Sequence, residues 1–132
     1  MTVGLVVVSH SARLADGVRE LAEQVAQGAV PVRAVGGASD GSLGTNALAI
    51  VEAVDSLAEA EGVLVLTDLG SAVMSAETAL EQLDAERRER VRQADAPFVE
   101  GTVAAAVEAS IGSGLERVLA AAESARGQSK LA

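Results

Sequence analysis

Val3-Gly4-Leu5-Val6-Val7-Val8 is an uninterrupted, β-branched apolar run that stops at Ser9-His10-Ser11. A strand with one wet face alternates apolar and polar residues. A run without that alternation suits a strand buried on both faces of a parallel sheet. Downstream a helical period takes over, with Leu14, Val18, Leu21, Ala22 and Val25 on one face and Arg19, Glu20, Glu23 and Gln24 largely off it. Gly28 ends that helix. Val30 to Val35 reads as a second strand, and Pro31 near its start places it at a sheet edge, because proline cannot donate to a central ladder.

The alternation continues along the chain. Gly36-Gly37-Ala38-Ser39-Asp40-Gly41-Ser42-Leu43-Gly44 is a glycine- and serine-rich loop, and Thr45 is expected to cap a helix that turns Ile50, Val51, Val54, Leu57 and Ala58 inward. After Gly62 comes a third strand, Val63 to Leu66, running into Thr67-Asp68-Leu69-Gly70-Ser71. Ser71 is the expected cap of a helix through Leu83. Asp84 to Arg90 is strongly charged and reads as solvated, and Val91 to Ala94 as a short fourth strand. Pro97 and Glu100 mark the start of a helix carrying Val99, Val103, Ala106 and Val107, broken by Gly112 and Gly114. A last helix carries Leu115, Val118, Leu119 and Ala122.

Strands alternating with helices predict an α/β fold: a small doubly wound, mainly parallel four-stranded sheet flanked by helices, with strand order 2-1-3-4. At 132 residues and 49 % hydrophobic content the chain suits one domain, expected over 1–125, with 126–132 as a flexible C-terminal tail.

Composition excludes several classes. Ten basic against nineteen acidic residues leave a net charge of −9, which disfavours a nucleic acid or an anionic membrane surface as partner. With no cysteine there are no disulfides, zinc-thiolate sites or iron–sulfur clusters, and one histidine rules out a His-pair mechanism. A single Phe, with no Tyr or Trp, offers no stacking platform for bases or sugars. Met1-Thr2-Val3-Gly4 lacks the basic start of a signal peptide, and no apolar stretch approaches the ~20 residues of a membrane span, so a cytoplasmic setting is expected.

In a doubly wound sheet, ligands gather at the carboxyl ends of the strands, at the switch point between strands one and three. His10 lies just past strand one and Asp68 just past strand three. A carboxylate accepting a hydrogen bond from one ring N–H leaves the other nitrogen with a free lone pair, and it stabilises the ring when attack makes it positive. The plainer alternatives are a packed or capping histidine, and an aspartate that caps a helix or closes an Asx-turn. Gly70 and Ser71 either offer N–H groups to a phosphate or simply open a helix. Ser9 and Ser11 either cap the following helix or hydrogen-bond a phosphoryl group on His10. Arg13 is either a docking cation or a solvated residue in a first helical turn.

The glycine-rich loop has neither a Walker A ending nor dinucleotide spacing, no Gly-x-Ser-x-Gly elbow is present, and no acidic cluster has metal-ligand spacing. No metal and no cofactor are therefore expected in this chain. Carrying a phosphoryl group on the imidazole needs only positioning and donors for the equatorial oxygens, which these residues can supply.

Several motifs agree with one family. Leu5-Val6-Val7-Val8-Ser9-His10-Ser11-Ala12-Arg13-Leu14-Ala15-Asp16-Gly17-Val18, Gly44-Thr45-Asn46-Ala47, Asp68-Leu69-Gly70-Ser71-Ala72, Ser75-Ala76-Glu77-Thr78-Ala79-Leu80-Glu81 and Ala96-Pro97-Phe98-Val99-Glu100-Gly101-Thr102 follow in order from Val3 to about Val118. Together they resemble the DhaM family, the phosphoryl carriers of bacterial PEP-dependent dihydroxyacetone kinases. The resemblance implies a mannose-class IIA fold, usually dimeric. It implies that His10 receives a phosphoryl group from phospho-HPr, itself charged from PEP by enzyme I, and that Asp68 orients it. It further implies transfer to ADP in the DhaL subunit, the ATP so formed phosphorylating dihydroxyacetone on DhaK, with nucleotide and magnesium held by the partner. Family members with HPr-like and enzyme I-like extensions are known, whereas this sequence stops at Ala132 and is expected to depend on general soluble carriers. One alternative is the IIA component of a mannose-class sugar transporter. Those typically show Gly-Gly-Ser-Pro after the aspartate, where this chain has Gly70-Ser71-Ala72. Another is a non-catalytic regulatory phosphoacceptor domain.

Overall fold

The computed structural model describes residues 2–42 and 44–131. Met1 in the amino-terminal reading, Leu43 in the glycine-rich loop and Ala132 in the tail lie outside the described residues. In chain order the elements are β1 (Val3–Ser9), α1 (Ala12–Val25), β2 (Val32–Gly36), α2 (Ala47–Asp55), β3 (Gly62–Thr67), α3 (Gly70–Glu81), α4 (Ala85–Glu89), β4 (Val91–Gln93), α5 (Phe98–Ser110) and α6 (Leu115–Ser124), followed by a 3₁₀ turn over Ala125–Gly127.

The sheet order is β2-β1-β3-β4 and every pairing is parallel. All seven residues of β1 are buried. The alternation absent from its composition appears in its packing: Val3, Leu5 and Val7 face α1, α5 and α6, while Val6 and Val8 face α2 and α3. In β3, Leu64 and Leu66 join the first core and Val63 and Val65 the second. Each such Val or Leu, fully buried, contributes about 1.5–3 kcal/mol. β2 pairs only with β1, at the expected edge, and the Pro31 carbonyl accepts from the Leu5 N–H at 2.9 Å before the strand begins at Val32.

The helices depart from the sequence reading in their faces. Leu14 and Leu21 of α1 are 45 % and 38 % exposed, and the buried positions are Ala15, Val18 and Ala22. In α5, Val99 and Val107 lie outside while Gly101, Thr102, Ala105, Ala106 and Ala109 face the core. Both helices also approach their neighbours closely at single points: a Cβ on Gly36 would lie 2.6 Å from the Ala12 Cα, and one on Gly101 would lie 2.8 Å from the Ala96 Cβ, so neither position has room for a side chain.

Caps and boundaries also shift. Asn46, not Thr45, caps α2, its side chain accepting from the Ala49 N–H. α2 ends at Asp55, so Ala58 is exposed beyond it, although Leu57 is buried. Leu69 occupies the cap of α3 without a side-chain bond, which leaves Ser71 inside the first turn; α3 ends at Glu81, before the buried Leu83. Asp84 to Arg90 is not simply solvated. Asp84 caps the short α4, and the Arg87 guanidinium turns back to donate to the Val54 carbonyl and pair with Asp55.

Candidate active site

The carboxyl ends of β1 and β3 lie side by side, with Val8 opposite Thr67. The residue following each strand is therefore set at one point on the sheet's edge: His10 after Ser9, and Asp68 after Thr67. The Asp68 N–H donates to the Val8 carbonyl at 3.2 Å, which extends the ladder to the site itself.

Asp68 is surrounded by donors. Its Oδ2 accepts from Ser9 Oγ at 2.8 Å and from the His10 backbone N–H at 3.1 Å, and its Oδ1 accepts from His10 Nδ1 at 2.9 Å and from the Leu69 N–H at 2.7 Å. Burial pushes the Asp68 carboxyl up, but Ser9, the His10 ring and the two backbone N–H groups outweigh it and hold the group below the ordinary carboxylate value. The carboxylate is ionised and can only accept, so Nδ1 of His10 carries the proton. Nε2 then has the free lone pair, and the Ser71 hydroxyl donates to it. The side chains of His10 and Asp68 are 24 % and 11 % exposed, so the acid is shielded while the ring's far edge meets solvent.

Of the residues singled out from the sequence, His10, Asp68 and Ser71 are brought together. Gly70 and Ser71 open α3 beside them. Ser11 caps α1, its Oγ accepting from the Leu14 N–H at 3.2 Å, and so begins the helix that leaves the site. Ser9 is fully buried, and its hydroxyl is committed to Asp68 while accepting from the Ser11 N–H at 3.0 Å. It anchors the acid rather than facing outward. Arg13 lies on the exposed first turn of α1. Thr45 and Ser75 meet beside Ser71, their hydroxyls 2.6 Å apart. Sequence reasoning assigned Thr45 to a cap and Ser75 to no role; the four-residue spacing of Ser71 and Ser75, which puts both on one helical face, was the available signal. Exposed Leu69, next to Asp68, gives the rim of the site an apolar character. A crevice of about 370 Å³ adjoins Asp68, lined also by Leu69, Gly70 and Gln93. Among the described residues no helix is long and apolar enough to cross a membrane.

The all-parallel sheet of order β2-β1-β3-β4, with one accessible imidazole held by a carboxylate at its switch point, has the architecture of the mannose-class IIA type. The family model described as the PTS system fructose IIA component, EIIA-man, matches residues 4–119, and the chain belongs to that family. Curated relatives narrow the branch. The chain is 46 % identical over 120 residues to the phosphoryl donor subunit DhaM of the PEP-dependent dihydroxyacetone kinase of Escherichia coli, covering 89 % of this chain and 25 % of that one. It is 39 % identical over 117 residues to the DhaM subunit of PEP-dependent dihydroxyacetone kinase 2 of Listeria innocua, covering 89 % of this chain and 94 % of that one. The chain thus spans a quarter of the length of the first and nearly all of the second. A crystal structure of the protein EF1359, described as of unknown function, matches with a TM-score of 0.89 at 34 % identity over 100 % of both chains.

Proposed function

We propose that this chain is the phosphoryl carrier of a PEP-dependent dihydroxyacetone kinase, taking a phosphoryl group from phospho-HPr on His10 and passing it to ADP held by a DhaL subunit. A DhaK subunit binds the dihydroxyacetone that is finally phosphorylated. The observation that carries the reading is the 2.9 Å contact between His10 Nδ1 and Asp68, which leaves Nε2 as the nucleophile. The names of the E. coli and Listeria relatives supply the kinase context.

In the first step the Nε2 lone pair attacks phosphorus on the donor phosphohistidine. The donor N–P bond breaks, its electron pair returns to the donor ring, and the new Nε2–P bond leaves the His10 ring positive. The Nδ1 proton does not move, and Asp68 balances the charge that attack creates. Ser71, relieved of Nε2, turns its hydroxyl to a phosphoryl oxygen, joined by N–H groups at the start of α3. In the second step a terminal phosphate oxygen of ADP attacks the same phosphorus, the Nε2–P bond breaks, and the pair returns to Nε2, restoring the neutral ring. Ser11, beside His10, is a further donor to the phosphoryl group. The carrier works as a homodimer in the cytoplasm, without a metal or cofactor of its own.

The test is incubation with PEP, enzyme I and HPr. The chain should acquire an acid-labile phosphoryl adduct that His10→Ala abolishes, and unchanged labelling of that variant would overturn the site assignment. Adding DhaL with ADP and DhaK should drain the label into dihydroxyacetone phosphate. Drainage only into a membrane transporter component would instead identify a sugar-transport IIA, and retention of the label without any acceptor would identify a regulatory domain.

A further inference from the structure

We propose that Thr45 is a positioning residue for phosphoryl transfer, holding the first turns of α3 so that Ser71 stays on Nε2 of His10; the proposal rests on the phosphocarrier reading above. Gly44 and Thr45 bridge the two elements that make the site. The Gly44 N–H donates to the His10 carbonyl at 2.9 Å. The next residue turns the other way: Thr45 Oγ1 lies 2.6 Å from Ser75 Oγ and 3.5 Å from the Ser71 carbonyl oxygen. The proton count admits one arrangement that uses both contacts, with Ser75 donating to Thr45 and Thr45 donating to the Ser71 carbonyl. The shorter contact is the strong one.

Two further features give this tie its purpose. α3 has no side-chain cap, because Leu69 stands where Ser, Thr, Asp or Asn would close the first turn. Its start, which carries Ser71, therefore lacks the usual local restraint. Thr45, in turn, is freed from capping duty by Asn46, which caps α2 instead. Ser71 and Ser75 are one turn apart on one face of α3, so fixing Ser75 fixes the rotation that aims Ser71 at His10. One dipeptide thus references both the histidine backbone and the serine helix to a single loop. A donor displaced by a fraction of an ångström from the phosphoryl oxygens loses most of its value in the transition state.

The experiment compares the full chain with Thr45→Val, Ser75→Ala and Thr45→Ser. Phosphorylation by phospho-HPr should slow roughly tenfold in kcat for the first two, with KM for the donor unchanged, and Thr45→Ser should recover to within about twofold. Nitrogen NMR of the His10 ring should show the Nε2 resonance displaced in Thr45→Val and Ser75→Ala, and restored in Thr45→Ser. Wild-type kcat in both hydroxyl-deleted variants, or a Thr45→Ser variant as slow as Thr45→Val, overturns the proposal. If Thr45→Val does not fold, Ser75→Ala reads the same bond from the other side. If the wild-type chain takes no label at all, the phosphocarrier reading fails, and the Nε2 resonance alone then decides the placement of Ser71: no displacement overturns it.

Discussion

His10 Nδ1 and Asp68 Oδ1 stand 2.9 Å apart across the β1–β3 switch point, joined by a residue pair 58 positions apart in sequence. Because the carboxylate can only accept, this contact chooses the tautomer and so leaves Nε2 as the ring nitrogen with a free lone pair. Replacing Asp68 by Asn presents an amide that can donate to Nδ1 and so favours the other tautomer. Phosphorylation of Asp68→Asn by phospho-HPr should fall roughly 100- to 10,000-fold, measured as the initial rate of label transfer. A rate within a few-fold of wild type would show that the acid does not set the tautomer.

Ser71 loses its donor in Ser71→Ala without disturbing the core, since its side chain is exposed at the start of α3. The transfer rate should drop about 10- to 100-fold, with thermal stability within about 1 kcal/mol of wild type. Equal loss of rate and of folded protein would mean that the hydroxyl serves structure instead.

Gly36 is the point at which β2 meets the start of α1. A Cβ there would stand 2.6 Å from the Ala12 Cα and 2.7 Å from the Ser11 carbonyl oxygen, both backbone atoms that no side-chain rotation can move. Gly36→Ala should cost about 2–4 kcal/mol in urea unfolding and should also weaken phosphorylation, because Ser11 and Ala12 follow His10 directly. Wild-type stability in this variant would show that α1 can slide without cost.

Asp68 also links stability to pH. Its folded-state pKa lies below the ordinary carboxylate value, so between the two the unfolded chain binds the proton that the folded chain does not. Stability from this group is therefore fully present above the unfolded pKa and is lost as pH falls through the lowered folded one. Urea midpoints measured from about pH 7 down to about pH 3 should show a decline that is shallower in Asp68→Asn. The same slope in both proteins would assign the acid sensitivity to other carboxylates.

The apolar run of β1, the proline at the start of β2 and the turn residues after β1 and β3 made the parallel sheet, the edge position of β2 and the meeting of His10 with Asp68 legible in the sequence. These features are local: burial on both faces forbids polar alternation, proline forbids a central ladder, and strand ends in a doubly wound sheet converge on one edge. Helix faces were less legible. Leu14 and Leu21 carry more hydrophobic weight than Ala15 and Ala22, so a periodicity argument favours them, yet the face that packs into the core is the one carrying Ala15, Val18 and Ala22, because helix rotation is set by the elements packed against it.

By itself, then, the order of residues pointed to a mainly parallel sheet with one imidazole and one carboxylate at its carboxyl edge; that every pairing is parallel came from the structure. Tertiary packing decided what each neighbouring hydroxyl does: Ser9 anchors the acid, Ser11 caps α1, Ser71 reaches Nε2, and Thr45 leaves the cap of α2 to Asn46 and bonds Ser75 instead. The reason is physical. A hydroxyl donates and accepts equally well in any of these roles, so its partner is set by which groups the fold brings within about 3 Å, and for Ser9, Ser71 and Thr45 that distance depends on elements packed together from separate parts of the sequence.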